Sequence, residues 1–113
     1  SEMLTIRTNI PREASGIRMQ FRSVSGGSEA DAAILIENKT QSAMSGWLLC
    51  AAYDGNGRQI AANGQYIGLK AKGQSTLTLH LACGTGEIAA VKAFLLDPST
   101  GYRPLCGSAV YIK

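Results

Sequence analysis

The chain has 113 residues and a formal charge of +3, with 45% hydrophobic but only 17% charged residues. At this length about two-thirds of the surface is buried on folding, which is enough for one core without metal or disulfide staples. The low charge density and the lack of any apolar run near 20 residues exclude disorder, coiled coil and a membrane span.

The predicted elements are strands. Leu4 to Arg7 reads as the first. Ile17, Met19 and Phe21 then alternate with Arg18, Gln20 and Arg22, the period-two pattern of a strand with one wet face. After a break at Ser25-Gly26-Gly27, Ala32 to Asn38 places Ile34 and Ile36 on one face and Leu35 on the other. Trp47 to Tyr53 is apolar on both faces, as expected of a central strand covered twice. Asp54-Gly55-Asn56-Gly57 follows, where two glycines and an asparagine supply the positive φ angles of a tight hairpin, so Gln59 to Ala62 should pair back on it. Beyond Lys72-Gly73-Gln74, Leu77, Leu79 and Leu81 alternate with Thr76, Thr78 and His80. Gly84-Thr85-Gly86 makes the next turn, and Ile88 to Leu96 is again apolar on both faces. Asp97-Pro98-Ser99-Thr100-Gly101 breaks the chain before a closing strand, Leu105 to Ile112. No ten-residue window shows helical spacing free of glycine, so helix should be minimal. Seven to nine short strands predict an all-β fold, a single module over 1–113 built as a two-sheet antiparallel sandwich, with a closed barrel as the alternative.

The residues that carry chemistry are sparse. His80 is the only histidine and its alternation sends it outward, while Cys83 falls in phase with the leucines and points inward. A nucleophile and its base must share a hydrogen bond, so this geometry speaks against Cys–His catalysis. Cys50, Cys83 and Cys106 show no Cys-x-x-Cys spacing of a zinc site, and their apolar or small neighbours are those of packed free thiols. Asp54-Gly55-Asn56-Gly57 begins like a calcium loop, yet Arg58, Gln59 and Gln65 occupy positions that need an oxygen ligand, a glycine and a glutamate. Gly84-Thr85-Gly86 lacks the third glycine and following helix of a dinucleotide site. Asn38-Lys39-Thr40 is formally a glycosylation sequon. The acidic residues lie mostly in or beside turns, without the long loops that would wall a glycosidase cleft. No enzyme, cofactor or metal is expected from these patterns. The basic residues are scattered singly, which points away from nucleic acid.

Two kinds of surface remain as candidates. Tyr66 and Tyr102 fall at loop or edge positions and are the candidate glycan contacts. The stronger feature is the pair of strands without a wet face, because a two-layer sandwich buries only one face of each sheet. Lys92 marks Ala90, Lys92, Phe94 and Leu96 as the outer set, making Lys92, Phe94 and Leu96 the candidate interaction face. Its partner would be an adjoining domain or a second copy.

Leu49-Cys50-Ala51-Ala52-Tyr53-Asp54-Gly55-Asn56-Gly57-Arg58, then Val91-Lys92-Ala93-Phe94-Leu95-Leu96-Asp97 and Pro104-Leu105 carry a resemblance. Over residues 30–112 the chain resembles an Ig/fibronectin-III-like accessory module of secreted and surface proteins of Gram-positive gut bacteria. The resemblance implies an extracellular or cell-surface β-sandwich appended to a larger protein acting on polysaccharides or the cell envelope. It carries over no catalytic residue. The chain opens on Ser1 without a basic-then-apolar leader, which reads as a module excised from a longer protein. The expected function is therefore a non-catalytic structural or interaction module, with a carbohydrate-binding module as the alternative.

Overall fold

The computed structural model describes residues 8–10, 12–14, 16–26, 28–98, 101, 103–104 and 109–112. They form ten strands: β1 (Thr8–Ile10), β2 (Arg12–Ala14), β3 (Ile17–Gly26), β4 (Glu29–Asn38), β5 (Met44–Tyr53), β6 (Gln59–Leu69), β7 (Gln74–Ala82), β8 (Ala90–Asp97), β9 (Arg103–Pro104) and β10 (Ala109–Ile112). One sheet has the order β1-β10-β8-β5-β6, with β9 pairing the end of β8, and the other has the order β2-β3-β4-β7. Every pairing is antiparallel. Seven strands have four or more residues, four in the first sheet and three in the second. The two-sheet antiparallel sandwich is thus the fold. The expected strand at Leu4 to Arg7 and the start of the one at Leu105 to Ile112 lie outside the described residues.

Alternation builds the core. β3 and β4 turn Ile17, Met19, Phe21, Ala30, Ala32, Ile34 and Ile36 inward, and β7 adds Leu79 and Leu81. The facing sheet contributes Leu48, Cys50 and Ala52 from β5 and Val91, Ala93 and Leu95 from β8, while Ile67 and Leu69 close the β6 end. At the opposite end the rings of Phe21 and Tyr111 meet edge to face, 6.1 Å between centroids and inclined at 62°, an arrangement worth about 1 kcal/mol beyond the area buried.

The β5–β6 hairpin turns differently from expectation. Of Gly55, Asn56 and Gly57 only Gly57 has a positive φ, +80°. The reason is Asp54, whose carboxylate accepts the Asn56 and Arg58 amides, both at 2.9 Å, and so sets the turn from a side chain. These bonds, led by the Arg58 amide, hold the Asp54 carboxyl below the usual range. Gly57→Val is expected to cost about 1 kcal/mol in a thermal melt, whereas Gly55→Val, with open space and no positive φ, should change stability by under about 0.5 kcal/mol. Equal losses would show that the turn is not set this way.

Asn38, first of the sequon residues, is 1% exposed and ends β4. Its side-chain amide donates to the carbonyls of Ser42, at 2.8 Å, and Lys70, at 3.0 Å, while its Oδ1 accepts from the Thr40 amide and hydroxyl, at 3.1 and 2.6 Å. Its backbone amide reaches the Gly73 carbonyl at 2.7 Å. One side chain therefore ties the β4–β5 connection to the β6–β7 turn, where Lys72 holds a φ of +60°. A nitrogen so enclosed is closed to a glycan.

Candidate interaction face

The question left open by the sequence is which face of β5 and β8 is covered. Val91, Ala93 and Leu95 are fully buried, so Ala90, Lys92, Phe94 and Leu96 lie on the outer face, with Lys92 exposed and Phe94 and Leu96 half-buried. β5 turns Trp47, Leu49 and Tyr53 outward, all half-buried, while Ala51 on that face is buried.

Register sets these side chains in rows across the sheet. Tyr66 stands opposite Trp47, and Trp47 opposite Leu96. The next row is Gly64, Leu49 and Phe94, followed by Ala62, Ala51, Lys92 and Val110. Tyr53, Ala90 and Ile112 make the last. Tyr66 and Ile112, at opposite margins, are 57% and 42% exposed.

Gly64 explains how the indole lies on this surface. A Cβ at that glycine would stand 2.6–2.7 Å from three atoms of the Trp47 ring, so the indole is laid on the β6 backbone where a side chain would otherwise be. At the sheet margin the Tyr66 hydroxyl bonds Ser45 Oγ at 3.2 Å. Lys92 is the charged residue within the rows, and its ammonium sits 5.3 Å from the Tyr53 ring centroid, a cation–π contact that keeps the charge over an aromatic face.

The opposite outer face is unlike it. β7 presents Thr76, Thr78 and His80, while Asp31 and Glu37 on β4 and Arg18 and Arg22 on β3 carry its charges. Arg18 pairs with Glu37 at 3.2 Å. His80 Nδ1 lies 3.0 Å from Asp31 Oδ1 and Nε2 lies 3.2 Å from Glu29 Oε1. The Asp31 hydrogen bond, aided by both carboxylate charges, raises the His80 pKa above its ordinary value against a smaller effect of desolvation. Because the folded pKa is the higher, the pairing supports the fold fully below about pH 6.5 and is lost as pH rises through the raised value. An NMR titration should find His80 above the ordinary histidine range and Asp31→Asn moving it back; an unmoved midpoint would dissociate His80 from Asp31.

The cysteines stand apart from this histidine. Cys50 and Cys83 are buried free thiols, as expected, and burial pushes Cys50 up to about 12 and raises Cys83. Cys106 lies outside the described residues, as does Tyr102.

No protein family's sequence profile matches this chain, and no curated protein is detectably similar to it. The rows of the larger sheet therefore carry the functional reading. The charge of Lys92 placed Lys92, Phe94 and Leu96 on the outer face from sequence, but nothing there showed that Tyr66 joins Trp47 across the strand pair.

Proposed function

We propose that the chain is a non-catalytic interaction module that packs through the outer face of the β6-β5-β8-β10 sheet against an adjoining domain of its parent protein. The observation that carries this reading is the contrast between that apolar, aromatic face and the charged and hydroxyl-rich face of the other sheet. From strand spacings near 4.8 Å and same-face repeats near 6.8 Å, the four rows span roughly 500 Å². That is toward the upper end of the roughly 300–600 Å² that the largest patch of a monomer reaches, yet short of the roughly 800 Å² per partner that holds a freely diffusing complex. A tethered neighbour suits this size, because the linkage supplies the effective concentration that area does not.

The strand order supports an Ig or fibronectin-III type of sandwich. Among the seven longer strands the first, second and fifth share one sheet, and the fourth, third, sixth and seventh the other. The sequence resemblance adds an extracellular or cell-surface setting.

The test is a two-domain piece of the parent protein. NMR relaxation should show the module tumbling with its neighbour, and Phe94→Ser should release it while costing the isolated module only about 1–2 kcal/mol, so that it stays folded. Independent tumbling in the unaltered pair would end the reading. The carbohydrate alternative draws on Trp47 and Tyr66 standing side by side at the sheet margin. Retention on a glycan array, lost in Tyr66→Ala, would put that alternative first.

A further inference from the structure

β6 is the last strand of its sheet, with no strand beyond it among the described residues. The direction of its peptide groups follows from its neighbours. The Tyr53 carbonyl accepts the Ala89 amide at 2.8 Å, so the odd-numbered residues of β5 bond toward β8 and the even-numbered ones toward β6. Gly46, Leu48 and Cys50 face Ile67, Gln65 and Asn63, which leaves the peptide groups of Ala62, Gly64, Tyr66 and Gly68 directed away from the sheet. Two side-chain bonds agree with this. The Gly64 amide donates to Asn63 Oδ1 at 2.8 Å, and Asn63 Nδ2 donates to the His80 carbonyl on β7 at 3.0 Å. Asn63 thus staples the middle of the edge, and the half from Gln65 to Leu69 lies beyond the staple.

Sheet edges that do not associate are short, charged, interrupted by proline or covered. β1 and β2 have three residues each, and β7 has an outward carbonyl engaged by Asn63. β6 has eleven residues with no charge and no proline, and it presents Tyr66 and Gly68 exposed.

We infer that β6 is a self-association edge, at which a second copy of this chain adds antiparallel through Asn63–Leu69. The neutrality of the segment favours a second copy, because two chains of charge +3 meet there without like charges opposed. A two-fold axis at Tyr66 sets Tyr66 opposite Tyr66 of the other copy and Gly68 opposite its Gly64. Even with the Gly64 amide held by Asn63, four main-chain bonds form: two between the tyrosines and one from each Gly68 amide to the other copy's Gly64 carbonyl. The tyrosines also bring the two outer faces side by side as one continuous surface, which the pairing itself leaves uncovered. This inference does not depend on the face docking to a neighbour.

Sedimentation equilibrium of the intact chain from about 10 µM to about 1 mM tests it. The mass should rise toward that of a dimer. Gly68→Pro removes an outward amide and leaves the bonds to β5, so the dimer should weaken at least about tenfold with an unchanged circular dichroism spectrum. If that variant fails to fold, Tyr66→Lys places a charge on the same edge and should act alike. Phe94→Ser should dimerise as the unaltered chain does. A chain monomeric throughout, or a dimer that survives the edge variants but not Phe94→Ser, would overturn the proposal.

Discussion

Replacing Asn38 with alanine should lower the stability of the chain by about 3 kcal/mol, equivalent to a melting temperature lower by roughly 10 to 15 °C. The loss is large because the side chain is not one bond but a junction. Removing it takes from the Lys70 carbonyl and the Thr40 amide their side-chain partner, and from the Ser42 carbonyl one of two donors, the Thr40 hydroxyl remaining, at a position 1% exposed. Each group so orphaned costs about 1–3 kcal/mol where it stays cut off from water, and relaxation of the Thr40 loop toward water recovers part of the sum. Asn38→Asp sharpens the test. A buried carboxylate cannot donate to two carbonyls, so the acid should favour its protonated form in the fold, with a pKa raised above that of the unfolded chain. The folded state then binds the extra proton, and the variant should be less stable at pH 7 than at pH 4.5. A melt within about 1 kcal/mol of the unaltered chain for Asn38→Ala would show that the junction is not structural.

Gly64→Val should cost about 2 kcal/mol and, more tellingly, should displace the Trp47 indole. The valine Cβ alone would lie 2.6–2.7 Å from Cζ2, Cε2 and Nε1 of that ring, far inside contact distance, and the β6 backbone cannot withdraw without breaking its register with β5. The ring must swing toward solvent. Tryptophan emission should therefore shift to longer wavelength in the native state, a signal readable because the chain has a single tryptophan. An unshifted spectrum at native stability would mean that the indole does not rest on Gly64.

Much of this fold is legible from the chain because alternation is local. Ile17, Met19 and Phe21, or Leu79 and Leu81, declare their inward face by spacing alone, and the structure places them in the core. For β5 and β8 alternation is uninformative, since Trp47 and Leu48 are both apolar; only Lys92 broke the symmetry, and it marked the outer face of β8. The expected strand Gln59 to Ala62 stops short of β6's end at Leu69, because Asn63 and Gly64 interrupt its apolar pattern, although Gly64 receives an indole and Asn63 bridges the seam. The cross-strand meeting of Trp47 with Tyr66 was equally out of reach, since register depends on where a hairpin closes. The junction at Asn38 left no trace in the pattern either: the Thr40 that makes it formally a sequon serves as its bonding partner.

The thiol of Cys50, buried mid-strand on β5 and pushed up to about 12, turns the chain into its own clock. Alkylation proceeds through the thiolate, so Cys50 reacts only in molecules that have opened the central sheet. Cys83, in the turn after β7, needs only that connection to loosen. Mass spectrometry of the two modified peptides over time would thus separate complete unfolding from local opening in one sample.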